Sequence, residues 1–215
     1  MNIKSILTFE GVYKYYEKGG LIKDVLIDVT FSLEPDTINL INGPSGSGKT
    51  TIIYLAALLK KPDAGEIRIL GNKTNSLNEK ERSNLIREQI GIIYQRSNLI
   101  PNLTAIENVM LPMISRDKEK AQKLLEKVEI KDFHRFPVDL SFEDEQKVAL
   151  ARSLVNDPSI ILTDEPTAEL NSNSTKIFME LLDKLDTVTV LMTSDNKLLS
   201  EYSDHTFELK EGAIR

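Results

Sequence analysis

The 215-residue sequence predicts an α/β domain: a mostly parallel sheet with helices on its faces. Three observations lead there. Apolar runs of strand length alternate with segments of helical spacing. A glycine-rich turn stands directly between one such run and a helix pattern. A block at roughly residues 96–155, punctuated by Pro101, Pro112 and Pro137, reads as an inserted helical subdomain. The length suits one large domain, taken as residues 1–215.

In chain order, residues 5–9 fit a first strand, residues 25–33 alternate as a second, and residues 37–42 form an apolar run suited to a buried third. After the glycine-rich turn a helix is expected over 49–60. Strands follow at 66–70 and 90–94, with a polar helix near 79–87 between them. Within the helical block, Ala121, Leu124, Leu125 and Val128 share one face of a helix over 119–128. Another helix is expected from 141 to about 155. The tail then alternates: strand 160–162, helix 175–185, strand 188–192 and short closing elements.

Composition narrows the function classes. Hydrophobic residues make up 40% and charged residues 28%, a globular balance rather than a disordered one. Asp and Glu outnumber Lys and Arg by 33 to 27, giving a net charge of −6. Duplex-binding proteins carry a basic excess, so no nucleic-acid partner is expected. The absence of Cys removes disulfides, thiolate metal sites and cysteine nucleophiles, and His134 and His205 are too few for a histidine-built zinc site. No apolar run approaches the roughly 18 residues needed to cross a bilayer, and the first ten residues lack the features of a secretory signal. The expectation is a cytoplasmic protein that reaches a membrane only through a partner.

The strongest motif is Gly43-Pro44-Ser45-Gly46-Ser47-Gly48-Lys49-Thr50, a full match to G-x-x-x-x-G-K-[ST] between a strand and a helix. Glycines let successive backbone N–H groups turn inward around phosphate oxygens, and a helix N-terminus adds positive potential. Lys49 is then the contact to the β- and γ-phosphates, and the Thr50 hydroxyl a ligand to Mg²⁺. A chance match in a chain of this length is on the order of 1%, so a nucleoside triphosphate site is predicted. A second carboxylate-bearing strand is needed to hold the metal from the far side. The run Ile160-Ile161-Leu162-Thr163-Asp164-Glu165 supplies it, with Asp164 as the metal-side acid and Glu165 as the candidate general base.

Two further stretches, Val148-Ala149-Leu150-Ala151-Arg152-Ser153-Leu154 and Asp164-Glu165-Pro166-Thr167, resemble the nucleotide-binding ATPase subunit of ATP-binding cassette (ABC) transporters. The resemblance covers about residues 8–212. The segment Leu99-Ile100-Pro101-Asn102-Leu103-Thr104-Ala105-Ile106-Glu107-Asn108-Val109 is similar to the lipoprotein-release, macrolide-export and cell-division branch. The resemblance implies a P-loop NTPase fold, with a mixed sheet core, an antiparallel β subdomain and an inserted helical subdomain. It also implies ATP and Mg²⁺ as ligands, with Gly43 to Thr51 around the phosphates and Tyr16 stacking on adenine, Tyr13 and Tyr15 being the alternatives for that aromatic. Catalytic roles fall to Glu165, Lys49 and Gln95, and metal contacts to Thr50, Gln95 and Asp164. The implied partners are a membrane permease and a second ABC ATPase subunit, so the chain would sit peripherally on the inner face of the membrane. Its work would be coupling ATP binding, and slow hydrolysis, to the permease; the alternative is a catalytically weak regulatory or scaffold subunit.

Three positions depart from the family pattern. The LSGGxxQR signature reads Leu140-Ser141-Phe142-Glu143-Asp144-Glu145-Gln146-Lys147, with Phe142 and Glu143 in the glycine places. A ring and a carboxylate there oppose close approach to an anion. The same residues make sense as a helix start, since Ser141 and Asp144 fit a capping box and acids favour the helix dipole. Ser194 stands where the family has its switch histidine, and Asn171 where it has Asp.

Overall fold

The computed structural model describes residues 4–185 and 187–215, with Lys18 described by its backbone alone. Two sheets organise them. The first is antiparallel, in the order β2-β1-β4-β5, with β1 Leu7–Lys18, β2 Leu21–Leu33, β4 Ala64–Ile69 and β5 Asn72–Lys73. The second runs β10-β9-β3-β8-β7-β6, with β3 Ile38–Asn42, β6 Ile90–Ile93, β7 Ile160–Asp164, β8 Thr189–Ser194, β9 His205–Lys210 and β10 Ala213–Ile214. Its strands from β9 to β6 are parallel, and only β10 pairs antiparallel.

The helices are α1 Lys49–Ala56, α2 Glu79–Gln89, α3 Ala105–Met110, α4 Lys118–Lys127, α5 Phe142–Leu154 and α6 Ser172–Asp183. Every residue of β3 and β8 is buried, as expected of strands covered on both faces. Adjacent side chains divide between two apolar cores. Leu40, Ile161, Val190 and Met192 join α3, α4, α5 and α6 on one side. Ile41, Ile160, Leu162 and Leu191 join α1 and the antiparallel sheet on the other. Helices α3, α4 and α5 pack on one another, and α5 also packs on β6, so the proline-bounded block shares its core with the central sheet.

Several boundaries differ from the sequence expectation for definable reasons. The first strand extends nine residues further, to Lys18, because three register shifts let the Tyr- and Lys-rich stretch keep pairing with β2. Helix α1 ends at Ala56, not near residue 60. Leu58 turns left-handed (φ 59°), and the Leu59 N–H closes back on the Tyr54 carbonyl. Helix α6 begins at Ser172, three residues early, because the Asn171 side chain accepts from the N–H groups of Asn173 and Ser174, both at 3.0 Å.

Parallel strands have their carboxyl ends at one edge, where α/β sheets bind ligands. The phosphate loop leaves β3 there, Gln95 follows β6, Glu165 follows β7, and Ser194 ends β8. Register fixes their neighbourhood, since Asn42 pairs with Ser194 and Asp164 with Thr193.

Candidate nucleotide-binding site

Loop 43–48 is shaped by close approach. A Cβ on Gly43 would lie 2.4 Å from the Leu209 carbonyl oxygen, so β9 leaves room only for glycine. Gly48, at φ 111°, caps α1 and would bring a Cβ within 2.9 Å of the Val25 carbonyl oxygen. As a glycine it offers no side-chain acceptor to the first N–H groups of α1, and no acid lies in that first turn. Every other α-helix of the described residues has a side-chain cap: Asn78, Thr104, Asp117, Ser141 or Asn171. Helix α1 alone keeps its terminal donors for an outside anion.

Lys49 is buried, and its ammonium donates to the carbonyls of Gly43 at 2.7 Å and Pro44 at 3.3 Å. It also lies 3.1 Å from Glu165 Oε1. Glu165 turns sharply out of β7 with φ 48°, its N–H held by the Thr193 carbonyl at 3.1 Å. The Thr193 hydroxyl donates to Asp164 Oδ1 at 2.7 Å, leaving the rest of that carboxylate for another partner. Sequence reasoning passed over Thr193; the visible signal was a hydroxyl side chain within an otherwise apolar strand run.

A cleft of 380 Å³ gathers Ser45, Gly46, Gly48, Lys49, Thr50, Thr51, Gln95 and Glu165 with Val25 of β2. Of the other sequence candidates, Gly43, Pro44 and Ser47 form the loop's inner turn, where the Ser47 N–H closes on the Pro44 carbonyl at 3.2 Å. Asp164 stands behind Glu165 at the end of β7. Tyr16 does not line the cleft. It lies on β1 opposite Lys23, partly exposed, with the Lys14 ammonium 5.6 Å from its ring centroid.

The donors suit a hard cation. Thr50, Gln95 and Glu165, each bearing a side-chain oxygen, line the cleft, and Asp164 precedes Glu165 at the end of β7. Among the described residues no three His, Cys, Asp or Glu side chains cluster as a self-sufficient metal site. Such a set would fit Mg²⁺, an ion bound through one or two carboxylates plus phosphate oxygens and water.

The departures have structural homes. Ser141 caps α5 by accepting from the Asp144 N–H at 3.1 Å, although the reciprocal half of the expected capping box is not formed. Glu143 pairs with Lys147 at 2.8 Å and accepts from the Ser174 hydroxyl of α6. The Lys147 contact first, then Ser174, holds its carboxyl below the usual carboxylate range. Ser194 is buried, and its carbonyl receives the Gly43 N–H at 3.2 Å, placing it beside the phosphate loop. His134 and His205 are exposed, away from the cleft.

Comparison with known proteins gives the same answer as this geometry. The ABC transporter family profile matches residues 26–168. An uncharacterized ABC transporter ATP-binding protein, MJ1508 of Methanocaldococcus jannaschii, is 38% identical over 95% of this chain and 96% of its own. The lipoprotein-releasing system ATP-binding protein LolD of Rickettsia bellii is 38% identical over 97% of each chain. The macrolide export ATP-binding/permease protein MacB of Bdellovibrio bacteriovorus is 35% identical over 98% of this chain but 33% of its own length. Among solved structures, a dimeric post-hydrolysis state of the cassette MJ0796 bound to ADP and Pi superposes with a TM-score of 0.88, at 33% identity over 97% of this chain and 96% of that one. A phosphate loop, a carboxylate pair at the end of β7 and a glutamine just past β6 meet at one sheet edge, and the similarity to these cassettes establishes that the chain belongs to the ABC transporter family, in the branch of LolD and MacB.

Proposed function

We propose that the chain is the ATP-binding subunit of a membrane transporter and holds Mg²⁺–ATP in the cleft around Lys49. The observation that carries this reading is the convergence of Lys49, Thr50, Gln95 and Glu165 on one cleft, with Lys49 paired to Glu165 at 3.1 Å. Thr50, Gln95 and Asp164 would hold Mg²⁺, which on binding neutralises phosphate charge. An incoming γ-phosphate competes with Glu165 for the Lys49 ammonium. The freed carboxylate can then accept a proton from the attacking water. Tyr16, two residues along the pairing from the Val25 border of the cleft, is the candidate for the adenine face.

The permease is read onto the groove beside Gln95. This groove, 620 Å³, is lined by Ile86, Ile92, Tyr94, Ile100, Leu111 and Met113 among others. Among the described residues no helix is long and apolar enough to cross a membrane. In this reading the chain sits on the inner face of the membrane.

Hydrolysis is slow in this reading, because the α5 start carries Phe142 and Glu143 where the family presents glycine to phosphate, and Ser194 replaces an imidazole. Loss of one preorganised donor costs about 10²–10³ in rate. The pinned Glu143 also favours a second reading, a regulatory subunit in which ATP occupancy rather than turnover sets the state of the complex. Mild-detergent purification with mass analysis, followed by ATP binding and turnover assays, tests both. The first reading expects a co-purifying permease that raises turnover. Binding without turnover, permease present, would select the second, and fast unaided turnover would contradict both.

A further inference from the structure

The segment after β6 is gripped by α5. Gln146, fully buried, donates from Nε2 to the Gln95 carbonyl at 2.8 Å. Less than two turns further on, Arg152 forks its guanidinium onto consecutive carbonyls, Nη2 to Ser97 at 2.6 Å and Nη1 to Asn98 at 2.7 Å. One residue before Gln146, Glu145 accepts from the Ser97 hydroxyl. Asn98 is held left-handed at φ 49°, a conformation Asn tolerates better than most residues. Three α5 side chains therefore fasten three of the four residues from 95 to 98.

The two ends of this strap face different places. Gln95 lines the phosphate cleft, whereas Asn98 lines the 620 Å³ groove together with Arg152 itself. Strand β6 ends at Ile93, so its ladder does not reach Gln95, and the position of that backbone depends on α5. Arg152 is suited to the task. Burial pushes its guanidinium down from the ordinary value, yet an arginine remains charged at any working pH, and two carbonyls take up the donors that water has lost.

We propose that Gln146 and Arg152 are positioning residues for Gln95, setting its reach toward the metal side of the nucleotide. The inference rests on the reading above that Gln95 serves Mg²⁺–ATP. It makes the α5 grip, rather than the central sheet, the determinant of how much Mg²⁺ strengthens ATP binding. Removing the Gln146 donor or the Arg152 fork lets the Gln95 backbone drift while loop 43–50 keeps its own supports.

The test is ATP titration calorimetry with Mg²⁺ and with EDTA, on the full chain and on the Gln146→Met, Arg152→Gln, Arg152→Lys and Gln95→Ala variants. Combining each α5 substitution with Gln95→Ala completes a double-mutant cycle. The Mg²⁺-dependent gain in affinity should fall about tenfold in Gln146→Met and Arg152→Gln, a loss the size of roughly one hydrogen bond. Arg152→Lys, which keeps the charge but loses the fork, should retain an intermediate gain. Affinity in EDTA should change by less than about twofold, and in the Gln95→Ala background the α5 substitutions should add nothing. Hydrogen exchange of residues 95–98 in the nucleotide-free variants should quicken, a readout independent of bound metal. An unchanged Mg²⁺ gain, equal losses with and without Mg²⁺, or losses that add to Gln95→Ala would overturn the inference while leaving the proposed function intact. A wild-type chain that binds no ATP would overturn both.

Discussion

Helices α1 and α5 begin with opposite chemistry. Both N-termini carry the partial positive charge that any helix places there. Helix α1 follows Gly48, has no side-chain cap and no acid in its first turn, and opens with the buried Lys49. Helix α5 follows a capping Ser141 and sets Glu143, Asp144 and Glu145 in its first turn, with Glu143 bound to Lys147 and Ser174. The first start is stabilised less by its own sequence and remains open to an anion. The second is satisfied from within and repels one. Stability and phosphate recognition use the same dipole, so a helix start that serves one is less available to the other.

The contrast can be broken from either side. The largest effect is expected for Lys49→Ala, which removes a buried cation of the cleft and should cut ATP affinity at least about 100-fold in calorimetry. The double change Phe142→Gly with Glu143→Gly should give α5 a start like that of α1. ATP turnover or ATP-dependent self-association should then rise by about tenfold, while thermal stability falls, because glycine is a poor helix former and the Glu143 contacts to Lys147 and Ser174 are lost. Unaltered turnover together with unaltered association would show that the α5 start is not what limits the site.

Smaller effects concern α5 alone. Ser141→Ala should lower stability by about 1 kcal/mol in urea unfolding, the usual worth of a cap, and leave ATP affinity unchanged. Glu143→Gln should show its cost as a pH dependence. The folded carboxyl titrates below its ordinary unfolded value, so its contribution is complete above that value and is lost as pH falls through the folded pKa. The stability difference between wild type and Glu143→Gln should be full at pH 7 and shrink steadily toward pH 3.

How legible this was depends on how local each signal is. Strand β3 and loop 43–50 could be read because a run buried on both faces, then glycine, lysine and threonine, answers to one local geometry. The Asp164–Glu165 pair was legible for the same reason. The length of β1 was not, because its bulges shift the alternation and hide the pairing of Tyr13 to Lys18 with partners on β2. The end of α1 was obscured because Leu58, not glycine, takes the left-handed turn. Asn171 stood out as a departure from the family, while its role as the α6 cap depends on loop geometry. The Gln146 and Arg152 contacts join residues more than 50 apart, and only the fold brings them together.

The most direct test of the two helix starts is amide chemical-shift mapping by ¹H–¹⁵N NMR as Mg²⁺–ATP is added. The account predicts large shifts for the N–H groups of Gly46, Gly48, Lys49 and Thr50, and none of comparable size for Glu143, Asp144 and Glu145. Shifts concentrated at the α5 start, or an unperturbed loop at saturating nucleotide, would contradict it.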